Sequence, residues 1–187
     1  MNIVQRPSPN FNKTDRNGMD WLIAAKLIVA HWSVGSYQSA VGWFLKPEAQ
    51  VSAHFVINES GDEVSQMVDL NRRAWHCGGS WHCLLSTDTN AETIGIELAG
   101  PPSSLKQTSW NPQQISTLVD LCKYIKQQVP TIIGIVDHST IDPLHKSDVK
   151  KGTGVDLFPW DDFISRTGML DFTKDYTQLV KAHFGIK

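Results

Sequence analysis

The sequence predicts an α/β domain whose central mixed β-sheet is flanked by α-helices. Short apolar segments rich in β-branched residues alternate along the chain with amphipathic segments of helical period. The chain has 187 residues, which is enough for one domain with a sizeable core and short for two. No Ser/Gly-rich linker and no internal repeat interrupts it, so we expect residues 1–187 to form a single domain.

The first half of the chain predicts three strands and one short helix. Residues 26–31 and 53–57 are mainly apolar, and we expect each to form a buried strand. Between them, Ser36 can cap a helix that ends before Pro47. Turn-forming residues follow the second strand, which predicts a hairpin whose other strand is 63–68.

The second half predicts two further strands. Ile94, Ile96 and Leu98 alternate with Gly and Glu, so we expect a strand over 93–98 with one face in the core. Residues 131–137 are apolar and β-branched, and they predict a strand with a histidine at its end.

Three helices are predicted in the same half. Asn111 can cap a helix that starts at the following proline, and Gln114, its third residue, can reach back to the helix N-terminus. A second helix should start within residues 158–163. A third, amphipathic helix should cover residues 172–184.

Charge and hydropathy exclude several classes of protein. The formal net charge is −2, which disfavours a nucleic-acid partner bound by bulk electrostatics. No run of about 18 apolar residues is present, so we expect no membrane span. The N-terminal residues lack the apolar segment of a signal peptide, which predicts cytoplasmic synthesis. Three cysteines do not suggest a disulfide framework.

Five residues could form a hydrolytic metal site. His31 and His138 end predicted strands, where side chains from distant segments can meet, and with Asp148 they would make a ligand set suited to zinc. Zinc lowers the pKa of bound water to about 7, which makes hydroxide available at neutral pH. Glu97 would then be the candidate general base, and Lys146 would be the candidate for stabilising the developing oxyanion. Histidine, aspartate, glutamate and lysine at such positions more often have a structural role or face solvent. From spacing alone, it stays open that these residues do not form a site.

A rival cluster lies between these segments. Trp75-His76-Cys77 and Trp81-His82-Cys83 repeat one triplet, and two histidines with two cysteines could hold a structural zinc. The spacing is unusual for a zinc finger. The alternative is an aromatic-rich loop beside a cleft, with its cysteines packed as small residues. A cytosolic chain gives no reason to expect a disulfide between Cys77 and Cys83.

Five ordered motifs resemble the zinc-dependent N-acetylmuramoyl-L-alanine amidases of the type 2 amidase superfamily. That superfamily includes cell-wall recycling amidases, many phage endolysins and the peptidoglycan-recognition proteins. The motifs lie at residues 28–32, 51–57, 73–78, 93–98 and 137–148.

The resemblance implies a peptidoglycan-recognition-protein-like fold and a role for each residue of the candidate site. His31, His138 and Asp148 would bind Zn²⁺, Glu97 would be the catalytic carboxylate, and Lys146 would be the transition-state lysine.

The resemblance also places three residues near the substrate, namely Trp75, His76 and His54. Two positions depart from the pattern. Ala53 stands where one branch of the family has a catalytic tyrosine, and this chain has the glutamate of the recycling-amidase-like branch instead. Cys77 replaces the small alanine that is usual after Trp-His.

The implied reaction is cleavage of the amide bond between N-acetylmuramic acid and L-alanine of the peptidoglycan stem peptide. A bacteriolytic phage or prophage lysin, released to the wall through a lysis pore, is favoured slightly over a bacterial amidase acting on soluble (anhydro)muropeptides. A non-catalytic peptidoglycan-binding module and a zinc amidase with another substrate stay as alternatives. Peptidoglycan or a muropeptide is the expected partner, without nucleic acid or membrane, and the chain is expected to be a monomer.

Overall fold

The computed structural model describes residues 1–13, 25–85, 88–100, 110–148, 158–175 and 184–185. Within these residues the strands are β1 (Ile3–Gln5), β2 (Phe11–Asn12), β3 (Leu27–Val34), β4 (Phe55–Ile57), β5 (Val64–Gln66), β6 (Arg73–Ala74), β7 (Thr93–Gly100), β8 (Gly134–Asp137) and β9 (Leu170–Asp171). The helices are α1 (Tyr37–Phe44), α2 (Pro112–Gln128), α3 (His138–Ile141), α4 (Trp160–Thr167) and α5 (Phe172–Asp175), with a 3₁₀ turn at Pro47–Ala49.

The strands confirm the predicted mixed sheet. Seven of the described strands pair in the order β1-β5-β4-β7-β3-β8-β9. β3 lies between β7 and β8 and runs parallel to both. The predicted hairpin is present as the antiparallel pair β4–β5. β2 and β6 form a separate two-stranded sheet.

Helices cover both faces of the sheet. On one face α2 and α4 bury apolar side chains in the largest core cluster, among them Leu118, Ile125 and Phe163. On the other face α1 packs Tyr37 and Phe44 into a second cluster. Because both faces are covered, the central strands β3 and β7 are buried along most of their length.

The central strands are longer on their carboxyl side than the sequence indicates. β3 continues past His31 to Val34, and β7 continues to Gly100, because the two strands pair residue for residue along their full length. His31 is therefore inside a strand and does not end it. The core-facing alternation predicted for β7 holds for Ile94, Ile96 and Leu98, but the opposite face of β7 is buried too.

The capping predictions for the helices hold with one exception. The Ser36 side chain accepts from the Ser39 amide, and the Asn111 side chain accepts from the Gln113 amide. Gln114 does not reach back. It is buried, and its Nε2 donates to the backbone oxygens of Asn58 and Ala99, which ties α2 to the sheet.

The C-terminal half differs from the prediction in its boundaries. β8 covers only the last four residues of the segment 131–137, and His138 begins α3 under an Asp137 cap. α4 starts at Trp160. α5 begins at Phe172 as predicted, but most of the helix expected over 172–184 lies outside the described residues. No helix in the described ranges is long and apolar enough to cross a bilayer.

Candidate metal centre and cleft

The candidate site lies where β8 ends beside β3. Register pairs His31 on β3 with Glu97 on β7, and Ala30 with Asp137, so that His138 follows directly beside His31. Asp148 approaches from the loop after α3. A cleft of about 240 Å³ opens here, lined by His31, Trp32, Phe44, Val51, Ser52, Trp75, His76, Glu97, His138, Lys146 and Asp148.

Three potential ligand atoms converge at the cleft floor. His31 Nδ1 lies 2.9 Å from His138 Nδ1. Asp148 Oδ2 lies 3.3 Å from His138 Nδ1 and 3.7 Å from His31 Nδ1. The Trp32 amide also donates to this oxygen, which holds the carboxylate in place.

This set fits a metal ion in spacing and in charge. Bond lengths of 2.0–2.2 Å put the ligand atoms of a tetrahedral zinc roughly 3.3 Å apart, close to the separations here. Burial and the neighbouring His138 lower the pKa of His31 to about 4, so its ring is neutral at pH 7. Burial opposes ionisation of Asp148, but the hydrogen bond with His138 and the nearby His31 ring outweigh it and hold the pKa of that carboxyl far below its usual range. A neutral imidazole and an ionised carboxylate are the forms that bind metals.

Glu97 and Lys146 complete the wall of the same cleft. Burial, together with the charge of Asp148, raises the pKa of Glu97 to about 8, although Lys146 opposes the shift. Glu97 Oε2 is buried and has no hydrogen-bond partner within the described part of the chain. Lys146 is exposed. The arrangement therefore offers a carboxyl group free to exchange a proton and a cation at the opening.

The three residues expected near the substrate are placed differently from one another. Trp75 and His76 line the cleft. The Trp75 ring is fixed by a bond from its Nε1 to Asn12 Oδ1. His54 is fully buried and does not line the cleft. Its Nδ1 accepts from the Gly95 amide and its Nε2 contacts the Arg72 oxygen, which indicates a structural role.

The two Trp-His-Cys triplets do not assemble into one site in the described chain. His76 and Cys77 of the first triplet lie close to His31, with their potential ligand atoms within 4.8 Å of one another. The second triplet adds no ligand to that group or to the group that contains Asp148. The three cysteines, Cys77, Cys83 and Cys122, are all free thiols.

Four cleft residues were missed by sequence reasoning: Trp32, Phe44, Val51 and Ser52. Trp32 follows His31 directly, which was the available signal. Phe44 ends α1, and its apolar side chain is indistinguishable in sequence from an ordinary core residue. The other two precede β4 and reach the cleft through tertiary packing alone.

A family model described as N-acetylmuramoyl-L-alanine amidase matches residues 22–151. This segment contains all five residues of the candidate site.

Two curated relatives overlap the same region. The chain is 33% identical over 98 residues to N-acetylmuramoyl-L-alanine amidase A of Achromobacter lyticus, a match covering 52% of this chain and 49% of the relative. It is 32% identical over 120 residues to 1,6-anhydro-N-acetylmuramyl-L-alanine amidase AmpD of Haemophilus influenzae. That match covers 63% of this chain and 59% of the relative. The matches thus span about half to three fifths of these relatives.

Solved structures share the fold over most of the chain. A selenomethionine derivative of AmpD is 26% identical with a TM-score of 0.67, over 88% of this chain and 93% of that one. A mutant endolysin from Bacillus subtilis is 20% identical with a TM-score of 0.60, over 89% and 99%. The second likeness concerns the fold alone.

Proposed function

The chain belongs to the N-acetylmuramoyl-L-alanine amidase family, and from that premise we propose that residues 1–187 form a catalytic domain that hydrolyses the amide bond between N-acetylmuramic acid and L-alanine in peptidoglycan. The observation that carries the proposal is the meeting of five side chains in one cleft. Two histidines and an aspartate offer a ligand set, and Glu97 and Lys146 stand beside it.

His31, His138 and Asp148 would hold zinc, since their ligand atoms converge and since His31 is neutral and Asp148 ionised at pH 7. When bound, zinc supplies a Lewis acid and makes hydroxide available near neutral pH. The Trp32 amide keeps Asp148 directed at the two imidazoles throughout.

Glu97 would move the proton. In its ionised form, Glu97 can accept a proton from the attacking water at its unpartnered carboxyl oxygen and pass it to the amide nitrogen as the C–N bond breaks. The new carboxylic acid ionises at neutral pH, and its proton is taken up by the released amine. The products are therefore a lactyl carboxylate and the protonated α-ammonium group of L-alanine. Lys146 would donate to the carbonyl oxygen as negative charge develops on it.

Two biological substrates fit this reaction. A phage or prophage lysin would act on intact wall after release through a lysis pore, and the solved endolysin shares the fold. An amidase acting on soluble anhydromuropeptides is favoured by one specific observation, the 32% identity to AmpD. In either case we propose that the chain acts as a monomer, since all five groups come from one chain.

Product analysis tests the activity. Purified protein is incubated with intact sacculi and, separately, with soluble anhydromuropeptide, and the released ends are identified by mass spectrometry. New L-alanine amino ends are expected from at least one substrate, and which substrate is faster decides between lysin and fragment amidase. New reducing sugar ends would refute the amidase reaction. Binding without turnover in zinc-loaded protein would indicate a non-catalytic recognition module.

A further inference from the structure

We propose that His76 is a positioning residue that fixes the tautomer and the orientation of His31, and that Gly95 and Thr93 hold His76 in place for this task. The inference rests on the proposed function, because it concerns the residue that would bind zinc. It assigns His76 a role apart from contact with substrate.

The first contact joins the two imidazoles. His31 Nε2 lies 3.0 Å from His76 Nδ1, whereas His31 Nδ1 faces His138 and Asp148. An imidazole that offers the lone pair of Nδ1 to a metal carries its proton on Nε2. His31 Nε2 must therefore donate, and His76 Nδ1 must accept.

The remaining contacts continue in the same direction. With Nδ1 as acceptor, neutral His76 carries its proton on Nε2, which lies 3.3 Å from Thr93 Oγ1. The Thr93 hydroxyl in turn donates to the backbone oxygen of Thr89. Because the Thr89 carbonyl oxygen can only accept, the Thr93 hydroxyl must donate to it and can accept from His76 Nε2. His76 Nδ1 is then free to accept from His31 Nε2. Partners of this kind keep a ligand histidine in one tautomer and orientation.

Gly95 makes room for the His76 ring. A Cβ built on Gly95 would lie 2.6 Å from both Cγ and Nδ1 of His76, a separation that real Cβ atoms do not reach. The ring therefore lies directly against the backbone of β7. The amide of His76 is held separately, by a bond to Asn90 Oδ1. Backbone and ring are thus anchored at different points.

Cys77 offers a competing explanation for the placement of His76. Its buried Sγ lies 2.9 Å from the same Nδ1. If the thiol were the functional partner, removing it would disturb His76 as much as removing the bond to His31. Cys77→Ala therefore separates the two explanations.

We call the chain of bonds from His31 through His76 and Thr93 to the Thr89 oxygen the relay. Zinc affinity, measured by competition with a chromogenic chelator, tests it. His76→Phe keeps an aromatic ring without nitrogen, and we expect zinc to bind about 10–100-fold more weakly. His76→Asn places an oxygen near the Nδ1 position and should recover part of the loss. Gly95→Ala should resemble His76→Phe, and the double variant should lose little more than either single one. Gly42→Ala is the matched control, since its Cβ meets no atom within 4 Å.

Two affinity results would overturn the relay: zinc affinity of His76→Phe within threefold of wild type, or an equal loss of affinity in Cys77→Ala. Imidazole ¹⁵N shifts in the metal-free protein give a second readout, with His31 expected to be protonated on Nε2 in the wild type and on a mixture of nitrogens in His76→Phe. Because this measurement needs no zinc, it distinguishes failure of the relay from failure of the proposed metal function. Wild-type protein that binds no zinc would overturn only the latter if the shifts agree with the relay. Nδ1 protonation of wild-type His31 would refute the relay itself.

Discussion

Replacing Glu97 with Gln should separate proton transfer from metal binding. Gln has nearly the shape of Glu, but its amide cannot take up and release a proton at neutral pH. A positioned general base contributes about 10²–10⁴-fold to a rate, which corresponds to roughly 2.7–5.4 kcal/mol of activation free energy. We expect kcat to fall by that factor.

The structure predicts that the same change leaves folding and zinc binding nearly intact. Glu97 Oε2 has no hydrogen-bond partner in the described chain, so no bond from this oxygen is lost in Glu97→Gln. The proposed ligand atoms belong to other side chains, those of His31, His138 and Asp148. The free energy of unfolding should therefore change by less than about 1 kcal/mol, because the substitution keeps the shape of the side chain and breaks no hydrogen bond at Oε2. Zinc content should stay at one ion per chain.

The assay pairs kcat on purified muropeptide with zinc content by atomic absorption and thermal unfolding. Asp148→Asn is the contrasting variant, because it alters a candidate ligand and should lose zinc and activity together. A Glu97→Gln enzyme within threefold of the wild-type kcat would refute the general-base role. Loss of zinc from Glu97→Gln would show instead that this carboxylate belongs to the metal site.

Three further outcomes are expected. Dialysis against a chelator should abolish activity, and added zinc should restore it. Full activity in protein that holds less than about 0.1 zinc ions per chain would refute the metal mechanism. Gln114→Leu leaves one buried and one partly buried carbonyl without their donor and should lower the free energy of unfolding in urea by about 2–4 kcal/mol. Gln113→Leu, at an exposed position, should change it little, and equal effects would refute the account of α2 docking. Burial lowers the pKa of His82 to about 4, below an unfolded value of about 6.5. The unfolded state therefore takes up a proton first as the pH falls, so the stability present above pH 6.5 decreases progressively towards pH 4. The free energy of unfolding in urea should depend less on pH in His82→Gln than in wild type, by up to about 3.4 kcal/mol across this range. Parallel curves for the two proteins would contradict this expectation.

The sequence predicts the parts of this protein that depend on local pattern. Apolar runs locate the central strands, and Asn111 with its following proline locates the start of α2. His31 and Glu97 both lie on segments that these patterns predict as strands, and the structure pairs the two residues in register. Strand ends were less accurate, because β3 and β7 extend each other by pairing, which no local signal reports.

The parts that sequence could not predict depend on contacts between distant segments. Gln114 has the composition of a capping residue, but two carbonyls of other elements outcompete the helix N-terminus. The His54 ring contacts the backbone of Arg72 and of Gly95, and the sequence does not show that these segments meet. The contact of His76 with Gly95 joins residues on a loop and a strand, and neither sequence position suggests it.

The ladder between β3 and β7 has a consequence for engineering. Because side chains alternate with period two, inserting one residue before His31 would turn its imidazole to the opposite side of the sheet, among the packed side chains of α2. Inserting two residues would restore the side but carry the ring about 6.6 Å along the sheet, away from Glu97. Insertions and deletions are therefore best placed in the loops at the edge of the sheet away from the cleft. There the hydrogen bonds between β3 and β7 do not set the distance between His31 and Glu97.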